Sequence, residues 1–215
     1  MQRYGNRVYS QHGEDLMLLN LTELMGISKP SYLDLGAHHP ENLSNTKLLY
    51  DSGSRGINVE ANPLLIQEFL NQRPEDTTIN AGVGVNSDWL PFYICNEDEA
   101  RSTFHSELLI NQGFTIKDVM TLPIVSINKI VRDHCNGLWP DILLTDIEGM
   151  DYTVLRDAQF GEFIKENKPK IIVAEIGFEK NSKLELLMKS RGYTLYCRMI
   201  CNLIFVSDAY KDLVY

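Results

Sequence analysis

The sequence predicts an α/β fold: a seven-stranded, mostly parallel sheet that ends in an antiparallel hairpin, with helices on both faces. Two patterns predict it. Short apolar runs alternate with helical patterns, as they do in the βαβ units of a parallel sheet. The last two apolar runs, residues 193–200 and 202–209, are close enough in sequence to form a hairpin. With 215 residues, 44% of them hydrophobic, the chain can bury one core, so we expect a single domain over residues 1–215.

The five strands that alternate with helices are short and apolar. The first, SYLDLG, has no clean alternation of polar and apolar residues, as expected of a strand that is covered on both faces. In chain order the five strands are residues 31–36, 55–60, 77–84, 141–149 and 170–177. Two further apolar runs, residues 89–95 and 122–127, predict additional strands between the third and the fourth.

Helices are predicted between these strands from the spacing of apolar residues and from capping signals. The strongest start signal is Asn62 as N-cap with Pro63 at the first helical position. Ser44 or Asn45 is the expected cap of an earlier helix, and Gly26 predicts a helix end. The predicted helices cover residues 14–26, 44–52, 62–72, 128–135, 151–160 and 182–192.

Composition excludes several classes of protein. The net charge of −9 argues against binding to duplex nucleic acid or to an anionic membrane, since both need a basic face. No apolar run approaches the roughly 20 residues of a membrane span. The N-terminus has no apolar segment before its first charges, so we expect no signal peptide and a cytoplasmic protein. The four cysteines show no metal-binding spacing and are expected to be free thiols.

Ligands of an open parallel sheet bind beyond the carboxyl ends of its strands. Four of the five main strands end in a turn that carries a carboxylate, although strands are poor in Asp and Glu. We therefore expect the strand ends to form a binding site. The candidates, in chain order, are Asp34, Gly36, Ala37, His38, His39, Glu60, Asn80, Ala81, Gly82, Asp146, Glu148 and Glu175.

The first turn favours a nucleoside without phosphates. Its sequence, GAHHPE, lacks the G-x-G-x-x-G pattern that brings a helix N-terminus against a pyrophosphate. Glu60 lies 24 residues beyond Gly36, about where an acid accepts hydrogen bonds from ribose hydroxyls. Gly36 would let the backbone approach the ligand, and Asp34 could accept from an amino group. These features, with the terminal hairpin, favour S-adenosylmethionine over NAD and a Rossmann-like methyltransferase over a dehydrogenase.

Four segments resemble the FkbM family of S-adenosylmethionine-dependent methyltransferases. They are SQHGEDL, YLDLGAHHPENLSNTKLLYDSGSRGINVEANP, TDIEGMDYTVL and PKIIVAEI, which together span about residues 10–176. The resemblance implies a class I methyltransferase fold and methyl transfer to oxygen, with hydroxyls of sugars or of polyketide-type natural products as acceptors. The sequence departs from the commoner family pattern at Ala61, where proline is frequent, which affects a turn and not the chemistry.

The family motifs also carry site assignments. By resemblance, residues 34–39 form the donor-binding turn and Glu60 binds the ribose, and we also count its neighbour Ala61 among the cofactor-binding residues. Residues 80–82 lie where adenine contacts occur, and residues 146–149 form the edge of the active site.

Methyl transfer to a hydroxyl needs a group that removes the proton. His38 and His39 are the best candidate bases, because imidazole titrates near neutral pH. Asp146, Glu148 and Glu175 offer the alternative: Asp146 and Glu175, with His39 or His38, could hold Mg²⁺ or Mn²⁺, which would lower the pKa of the acceptor hydroxyl. Glu148 could itself be the base if burial raises its pKa.

Two segments could cover such a site. Residues 96–119 are polar and irregular and are expected to form a lid over the acceptor, where Arg101 could bind an acceptor phosphate. Residues 1–27 form a helical N-terminal segment that could also act as a lid, with His12 as a lesser candidate base. His105 and His134 are expected to be structural or exposed.

The sequence therefore predicts an S-adenosylmethionine-dependent O-methyltransferase. Its partner would be a small-molecule acceptor, a sugar, a nucleotide-linked sugar or a glycosylated natural product, and neither nucleic acid nor a membrane. An N-methyltransferase, a donor-binding subunit without activity and a nucleotide-binding oxidoreductase are the alternatives. The identity of the acceptor and homo-oligomerisation are left open, because no motif bears on them.

Overall fold

The computed structural model describes residues 7–161, 167–176 and 182–215. Its strands form two sheets, one of seven strands and one of three. In chain order the strands are β1 (Tyr32–Leu35), β2 (Gly56–Glu60), β3 (Thr77–Asn80), β4 (Gly82–Gly84), β5 (Asp88–Cys95), β6 (Ile116–Ser126), β7 (Ile142–Thr145), β8 (Ile171–Glu175), β9 (Tyr193–Arg198) and β10 (Asn202–Ser207). Residues 1–6 of the predicted N-terminal segment and residue 177 of the predicted fifth strand lie outside the described ranges.

The main sheet has the strand order β3-β2-β1-β7-β8-β10-β9. The first five of these strands run parallel to one another. Strand β10 is antiparallel to both β8 and β9, so the second arm of the hairpin lies inside the sheet and the first arm forms its edge. The predicted seven-stranded, mostly parallel sheet with a terminal hairpin is confirmed.

Helices cover both faces of the main sheet. In chain order the α-helices of the described residues are α1 (Glu14–Leu24), α2 (Lys47–Asp51), α3 (Pro63–Gln72), α4 (Ser106–Asn111), α5 (Ile127–His134), α6 (Asp151–Asp157), α7 (Ser182–Ser190) and α8 (Lys211–Val214), of which α4 lies in the connection between β5 and β6. Leu33 and Leu35 of β1 pack in a core with Ile130 of α5, whereas Tyr32 packs in a second core with Leu18 of α1. All four residues of β1 are buried, as its continuous apolar sequence predicts.

The helix start at Asn62 follows the prediction, while the start of α2 does not. The Asn62 side chain accepts a hydrogen bond from the Leu64 N–H at 3.1 Å, and Pro63 is the first helical residue. Helix α2 begins at Lys47, three residues after Ser44, whose hydroxyl still accepts the Lys47 N–H at 3.2 Å. The N-cap residue Thr46 makes no capping bond, because its hydroxyl is used elsewhere in the core.

The second sheet corrects two strand predictions. The predicted third strand is divided at Ala81: β3 belongs to the main sheet and β4 to the smaller sheet of order β4-β6-β5. The strand predicted at residues 122–127 begins earlier, at Ile116, and so includes residues 116–119 of the segment predicted to be irregular. The reason is tertiary: β5 pairs with β6 along its whole length, from Asp88 opposite Ile124 to Cys95 opposite Ile116.

No helix within the described ranges is long and apolar enough to cross a membrane.

Candidate active site

A cavity of about 290 Å³ lies at the carboxyl ends of the main-sheet strands. The structure brings most of the predicted site residues to its wall. Those that line it are Asp34, Gly36, Ala37, His38, Glu60, Ala61, Ala81, Gly82, Asp146, Glu148 and Glu175. His39 and Asn80 are not part of this wall. The strand order explains the convergence, because parallel neighbours end at the same edge of a sheet.

Glu60 joins the turns that follow β1 and β2. One of its carboxylate oxygens accepts the His38 N–H at 2.8 Å and the other accepts the Asn62 N–H at 2.6 Å. Burial raises the pKa of Glu60 to about 7, although the two backbone hydrogen bonds oppose the shift. Each oxygen keeps a second lone pair, so the carboxylate can still accept from a ligand hydroxyl.

Asp34 lies on the cavity floor, and its side chain is held from behind. Its Oδ2 accepts the Thr46 hydroxyl at 2.9 Å. Burial raises the pKa of Asp34 to about 6, and the Thr46 hydrogen bond and the nearby charge of Arg73 oppose that rise. Among the described residues no other group donates to this carboxylate, which leaves Oδ1 available to a ligand.

Gly36 is required by packing as well as by its backbone angle. Its φ is +80°, and a Cβ at this position would lie 1.8 Å from the carbonyl oxygen of Asp146. The Gly36 N–H donates to the Val59 carbonyl at 2.9 Å, and Asp146 N–H donates to the Leu35 carbonyl at 2.9 Å. The glycine therefore lets the ends of three neighbouring strands meet beneath the cavity.

Asn80 has a structural position. Its side-chain amide donates to the carbonyl oxygens of Glu60 at 3.0 Å and Ala61 at 2.8 Å, which fixes the turn after β2. The next two residues, Ala81 and Gly82, reach the wall of the cavity. A Cβ at Gly82 would lie 2.4 Å from the ring of Phe104, so the glycine allows this aromatic ring to pack directly on the backbone.

The two histidines have different surroundings. His38 lines the cavity with a backbone φ of +52°, and burial, followed by the charge of His39, lowers its pKa below 6.5. His39 faces away from that cavity and has both ring nitrogens engaged. Its Nδ1 accepts the N–H groups of Glu41 and Asn42 at 3.0 and 2.9 Å, and its Nε2 contacts Glu68 at 2.8 Å.

Asp146 and Glu175 form a close pair of carboxyl groups. The register Thr145 opposite Ala174 puts them side by side at the ends of β7 and β8. Asp146 is accessible from the cavity, yet protein atoms surround it, so desolvation raises its pKa, as does the charge of Glu148. Desolvation and the charge of Asp146 raise the pKa of Glu175. One proton can be shared between such neighbours, because two adjacent carboxylates cannot both ionise easily.

Glu148 faces a short segment that overhangs the cavity. Burial raises its pKa, and the charge of Arg101 opposes the rise. Arg101 ends a 3₁₀ turn, Glu99–Arg101, that lines the same cavity together with Phe104 and His105. The half-buried Phe104 stacks on Phe92 with ring centroids 4.8 Å apart. The connection between β5 and β6 therefore supplies a wall of the cavity that faces Glu148.

The model of the Methyltransferase FkbM domain matches residues 34–195, three quarters of the chain. The chain belongs to the FkbM methyltransferase family. It is thus a member of a family of S-adenosylmethionine-dependent methyltransferases, and the family predicted from the motifs is confirmed. No curated protein matches the chain significantly.

A solved FkbM methyltransferase structure shares the fold. An FkbM methyltransferase from Methylobacillus flagellatus KT aligns with a TM-score of 0.54 and 16% identity, over 83% of this chain and 44% of that chain. A TehB-like S-adenosylmethionine-dependent methyltransferase from Corynebacterium glutamicum gives 0.46 and 12%, over 94% and 90%. Precorrin-6y C5,15-methyltransferase from Geobacter metallireducens gives 0.45 and 11%, over 95% and 93%. The chain therefore spans less than half the length of the Methylobacillus protein.

Several residues of this FkbM methyltransferase site were not expected from the sequence. Gln11, Cys201, Asn202 and Phe104 also line the cavity. Asn202 donates to the fully buried Glu14 at 2.9 Å, which fastens the hairpin to the N-terminal segment. Glu14 and Asp15, the first two residues of α1, are both completely buried, which the sequence does not indicate because charged residues are rarely buried.

Asp151 was also not assigned a role. It is buried at the start of α6, and burial, followed by the charge of Asp146, raises its pKa to about 7. Its place in the motif TDIEGMDYTVL, five residues after Asp146, was a signal that the sequence did offer.

The remaining three histidines lie near a carboxylate or on the surface, and the structure also bears on the metal hypothesis. His12 Nδ1 lies 3.6 Å from Glu14, His105 is exposed on the cavity rim, and His134 is exposed at the end of α5. In the part of the chain that the structure describes, no three His, Cys, Asp or Glu side chains are grouped so as to hold a metal ion.

Proposed function

We propose that this FkbM methyltransferase transfers a methyl group from S-adenosylmethionine to a hydroxyl of a small molecule, such as a sugar, a nucleotide-linked sugar or a glycosylated natural product. One observation carries the proposal: the carboxylates at four strand ends line a single cavity together with His38. They are Asp34, Glu60, Asp146, Glu148 and Glu175. Hydrogen-bond acceptors at this density suit the hydroxyls and amino groups of a nucleoside and a polyhydroxylated acceptor.

The donor wall, which we define as Asp34, Gly36, Ala37, Glu60, Ala61, Ala81 and Gly82, fits S-adenosylmethionine. Arg101 is the one described lining residue with a permanent positive charge, so the cavity suits a ligand without phosphates at this end. Glu60 would accept from the ribose hydroxyls and Asp34 from the ammonium group. When bound, the donor supplies a methyl group that is activated by its attachment to a sulfonium.

His38 is the proposed general base. Its lowered pKa keeps the imidazole neutral at pH 7, which is the form that accepts a proton from a hydroxyl. The ring nitrogens of His39 already contact Glu68 and two backbone N–H groups, so we assign the base to His38. Catalysis needs the neutral form, so the rate should be constant near pH 7 and fall as the pH drops through a value below 6.5.

Asp146 and Glu175 are proposed to orient the acceptor hydroxyl through their shared proton. The alternative is that they hold Mg²⁺ or Mn²⁺, with His38 as a further ligand because His39 does not line the cavity, and that this ion activates the acceptor. The two mechanisms differ in one measurement. A shared proton predicts turnover that is unchanged by EDTA, whereas a metal mechanism predicts loss with EDTA and recovery on adding the cation.

An amine acceptor is a second candidate, because Asp98, Glu99, Glu148 and Glu175 outnumber Arg101 on the side of the cavity that faces away from the donor wall. Protonated amines would be attracted to this surface. Hydroxyl and amine acceptors would be separated by mass spectrometry of the product. Cytoplasmic location, homo-oligomerisation and the lid roles of residues 1–27 and 96–119 stay predictions.

The test combines donor binding with turnover. Titration calorimetry should show binding of S-adenosylhomocysteine, and the absence of binding would overturn the proposal. Turnover is then measured with a panel of sugars, nucleotide sugars and their amino counterparts. His38→Asn should keep donor affinity within about twofold and lower kcat about a hundredfold. His134→Asn, which changes an exposed histidine on α5, is the matched control. An unchanged kcat in His38→Asn would remove His38 from the mechanism.

A further inference from the structure

Thr46 lies between a carboxylate of the donor wall and a buried arginine. Its hydroxyl oxygen is 2.9 Å from Asp34 Oδ2 and 3.0 Å from Arg73 Nη2. Both Thr46 and Arg73 are completely buried, and Asp34 is only 6% exposed. Neither Thr46 nor Arg73 lines the cavity, so any effect on a ligand must pass through Asp34.

The chemistry of the three groups fixes the direction of these hydrogen bonds. A guanidinium only donates, so the Thr46 oxygen accepts from Arg73. The one hydroxyl hydrogen of Thr46 is then available to Asp34 Oδ2. This orientation favours the ionised carboxylate, and it occupies Oδ2 while leaving Oδ1 for a ligand.

Arg73 is itself held rigidly. Its Nη2 also donates to the Tyr32 hydroxyl at 2.7 Å, and its Nε donates to Asp76 at 2.9 Å. Asp76 in turn accepts the Gly56 N–H at 2.8 Å and the Asn58 amide at 2.9 Å. The network therefore connects β1, β2 and Arg73, the residue that follows α3, and it fixes where the Thr46 oxygen can lie.

We propose that Thr46, backed by Arg73, is a positioning residue of the donor site that holds the Asp34 carboxylate so that Oδ1 accepts a hydrogen bond from the donor's ammonium group. This inference rests on the proposed function. It concerns a residue that touches neither donor nor acceptor. It explains why Thr46 does not cap α2, although it occupies the N-cap position.

Four charged groups act on Asp34 from the elements around it. Arg73 and Asp76 lie behind it, Glu60 lies at the end of β2, and Asp146 lies at the end of β7. Removing the Thr46 hydroxyl removes one of the two influences that oppose the raised pKa of Asp34, the charge of Arg73 being the other. The carboxylate should then be protonated at a higher pH, and the loss of donor affinity should be larger at pH 6 than at pH 8. Glu60 and Asp146 titrate in the wild type and the variant alike, so the informative quantity is the ratio of the two affinities.

Thr46→Val keeps the shape of the side chain and removes the hydroxyl, and Thr46→Ser restores it. Binding of S-adenosylhomocysteine is measured at pH 6 and pH 8 for both variants and the wild type. Thr46→Val should bind about tenfold more weakly at pH 8 and weaker still at pH 6, because hydrogen bonds to charged groups contribute most. Thr46→Ser should bind within about twofold of the wild type. Thr22→Val is the matched control, since Thr22 is 1% exposed and donates only within α1.

A double-mutant cycle separates positioning from general damage. If Thr46 acts through Asp34, then Thr46→Val should weaken binding in the wild type and have no further effect in Asp34→Asn. Equal losses in both backgrounds, or wild-type affinity in a folded Thr46→Val, would overturn the inference and leave the proposed function intact. Failure of the wild type to bind S-adenosylhomocysteine would overturn the proposed function instead. If Thr46→Val unfolds, the same cycle with Thr46→Ala and Asp34→Asn decides the matter.

Discussion

The donor wall and the acceptor wall, which we define as residues 98–105, are built in opposite ways. On the donor wall, both carboxylate oxygens of Glu60 accept hydrogen bonds from backbone N–H groups, and a hydrogen bond from Thr46 fixes the Asp34 side chain. On the acceptor wall, Asp98 pairs with Arg101 at 3.3 Å, and both side chains are about half exposed. Exposed ion pairs of this kind contribute little to stability, whereas buried hydrogen-bonded carboxylates are costly to disturb.

We propose on this basis that the two walls have different roles in binding. A wall whose polar groups are already fixed loses little conformational entropy when its ligand binds, which suits a cofactor common to a whole family. A wall of exposed side chains on a short 3₁₀ turn can be altered without disturbing the core. We therefore expect changes in the donor wall to affect folding and donor affinity, and changes in the acceptor wall to affect the acceptor alone.

The largest effect is expected for Gly36→Ala. The added methyl group would meet the Asp146 carbonyl at 1.8 Å, and the backbone would keep a φ of +80°. We expect a loss of at least about 4 kcal/mol in the free energy of unfolding, measured by urea denaturation. Gly26→Ala is the control, because φ there is +72° but no atom lies within 4 Å, so only about 1–2 kcal/mol should be lost. Equal losses in the two variants would contradict the steric argument.

The next effect is a dependence of stability on pH. Glu60 has a pKa of about 7 in the folded chain and an ordinary value near 4.5 when unfolded. The folded state therefore holds the proton more tightly, so this stabilisation is complete below about pH 4.5 and is lost as the pH rises through 7. Asp34 and Asp151, with pKa values raised to about 6 and about 7, act in the same direction.

We expect the ligand-free chain to lose roughly 3 kcal/mol of stability through Glu60 between pH 4.5 and pH 8. Urea unfolding at both pH values measures it. Glu60→Gln should reduce the pH dependence by about this amount and leave the part that comes from Asp34 and Asp151, whereas Glu99→Gln, at an acid of the acceptor wall, should leave the dependence unchanged. If Glu60 made the chain more stable as the pH rises from 4.5 to 8, the raised pKa of its buried carboxyl would be contradicted.

A smaller loss is expected in donor affinity. Glu60→Gln replaces an acceptor of two backbone N–H groups by a side chain that carries its own N–H groups. Binding of S-adenosylhomocysteine should weaken about 30-fold, by calorimetry. Glu68→Gln serves as the control, because Glu68 contacts His39 and does not line the cavity. Comparable losses in both variants would show that His39 matters for the donor site after all.

The smallest effect is expected on the acceptor wall. Arg101→Gln removes an exposed charge that faces Glu148, so stability should change by less than about 0.5 kcal/mol and donor affinity should stay the same. The KM for the acceptor should rise a few-fold if the acceptor carries a phosphate. If Arg101→Gln lowered donor affinity, the proposal that the two walls bind different ligands would be contradicted.

The convergence of the strand ends on one cavity was predictable from the sequence, because strand ends follow from apolar periodicity and from the geometry of parallel sheets. Asp34, Glu60, Asp146 and Glu175 reach one cavity for that reason. What each side chain contacts was less predictable. The Asn80 amide donates to the carbonyl oxygens of Glu60 and Ala61 instead of facing the cavity. Its orientation depends on the conformation of the turn, which the periodicity of the sequence does not encode.

The acceptor wall was the least predictable part, because it depends on long-range pairing. Ile116–Ser126 forms a strand only where Asp88–Cys95 lies beside it, and Phe104 reaches the cavity because Gly82 leaves room for its ring. The caps expected from the sequence were Ser44 or Asn45, and Thr46 was assigned no role, because the use of its hydroxyl by Asp34 and Arg73 requires three segments to be folded together.

The division of the third predicted strand at Ala81 has a consequence for engineering. The chain leaves the main sheet at this residue to form β4. The end of β6 lies beside β4, with Gly84 opposite Ser126, so the segment between them begins and ends at neighbouring positions. Residues 82–126 therefore form a closed excursion with adjacent entry and exit points. We expect that an exchange of residues 83–126 between related enzymes would keep the donor wall of one parent and bring in the acceptor wall of the other.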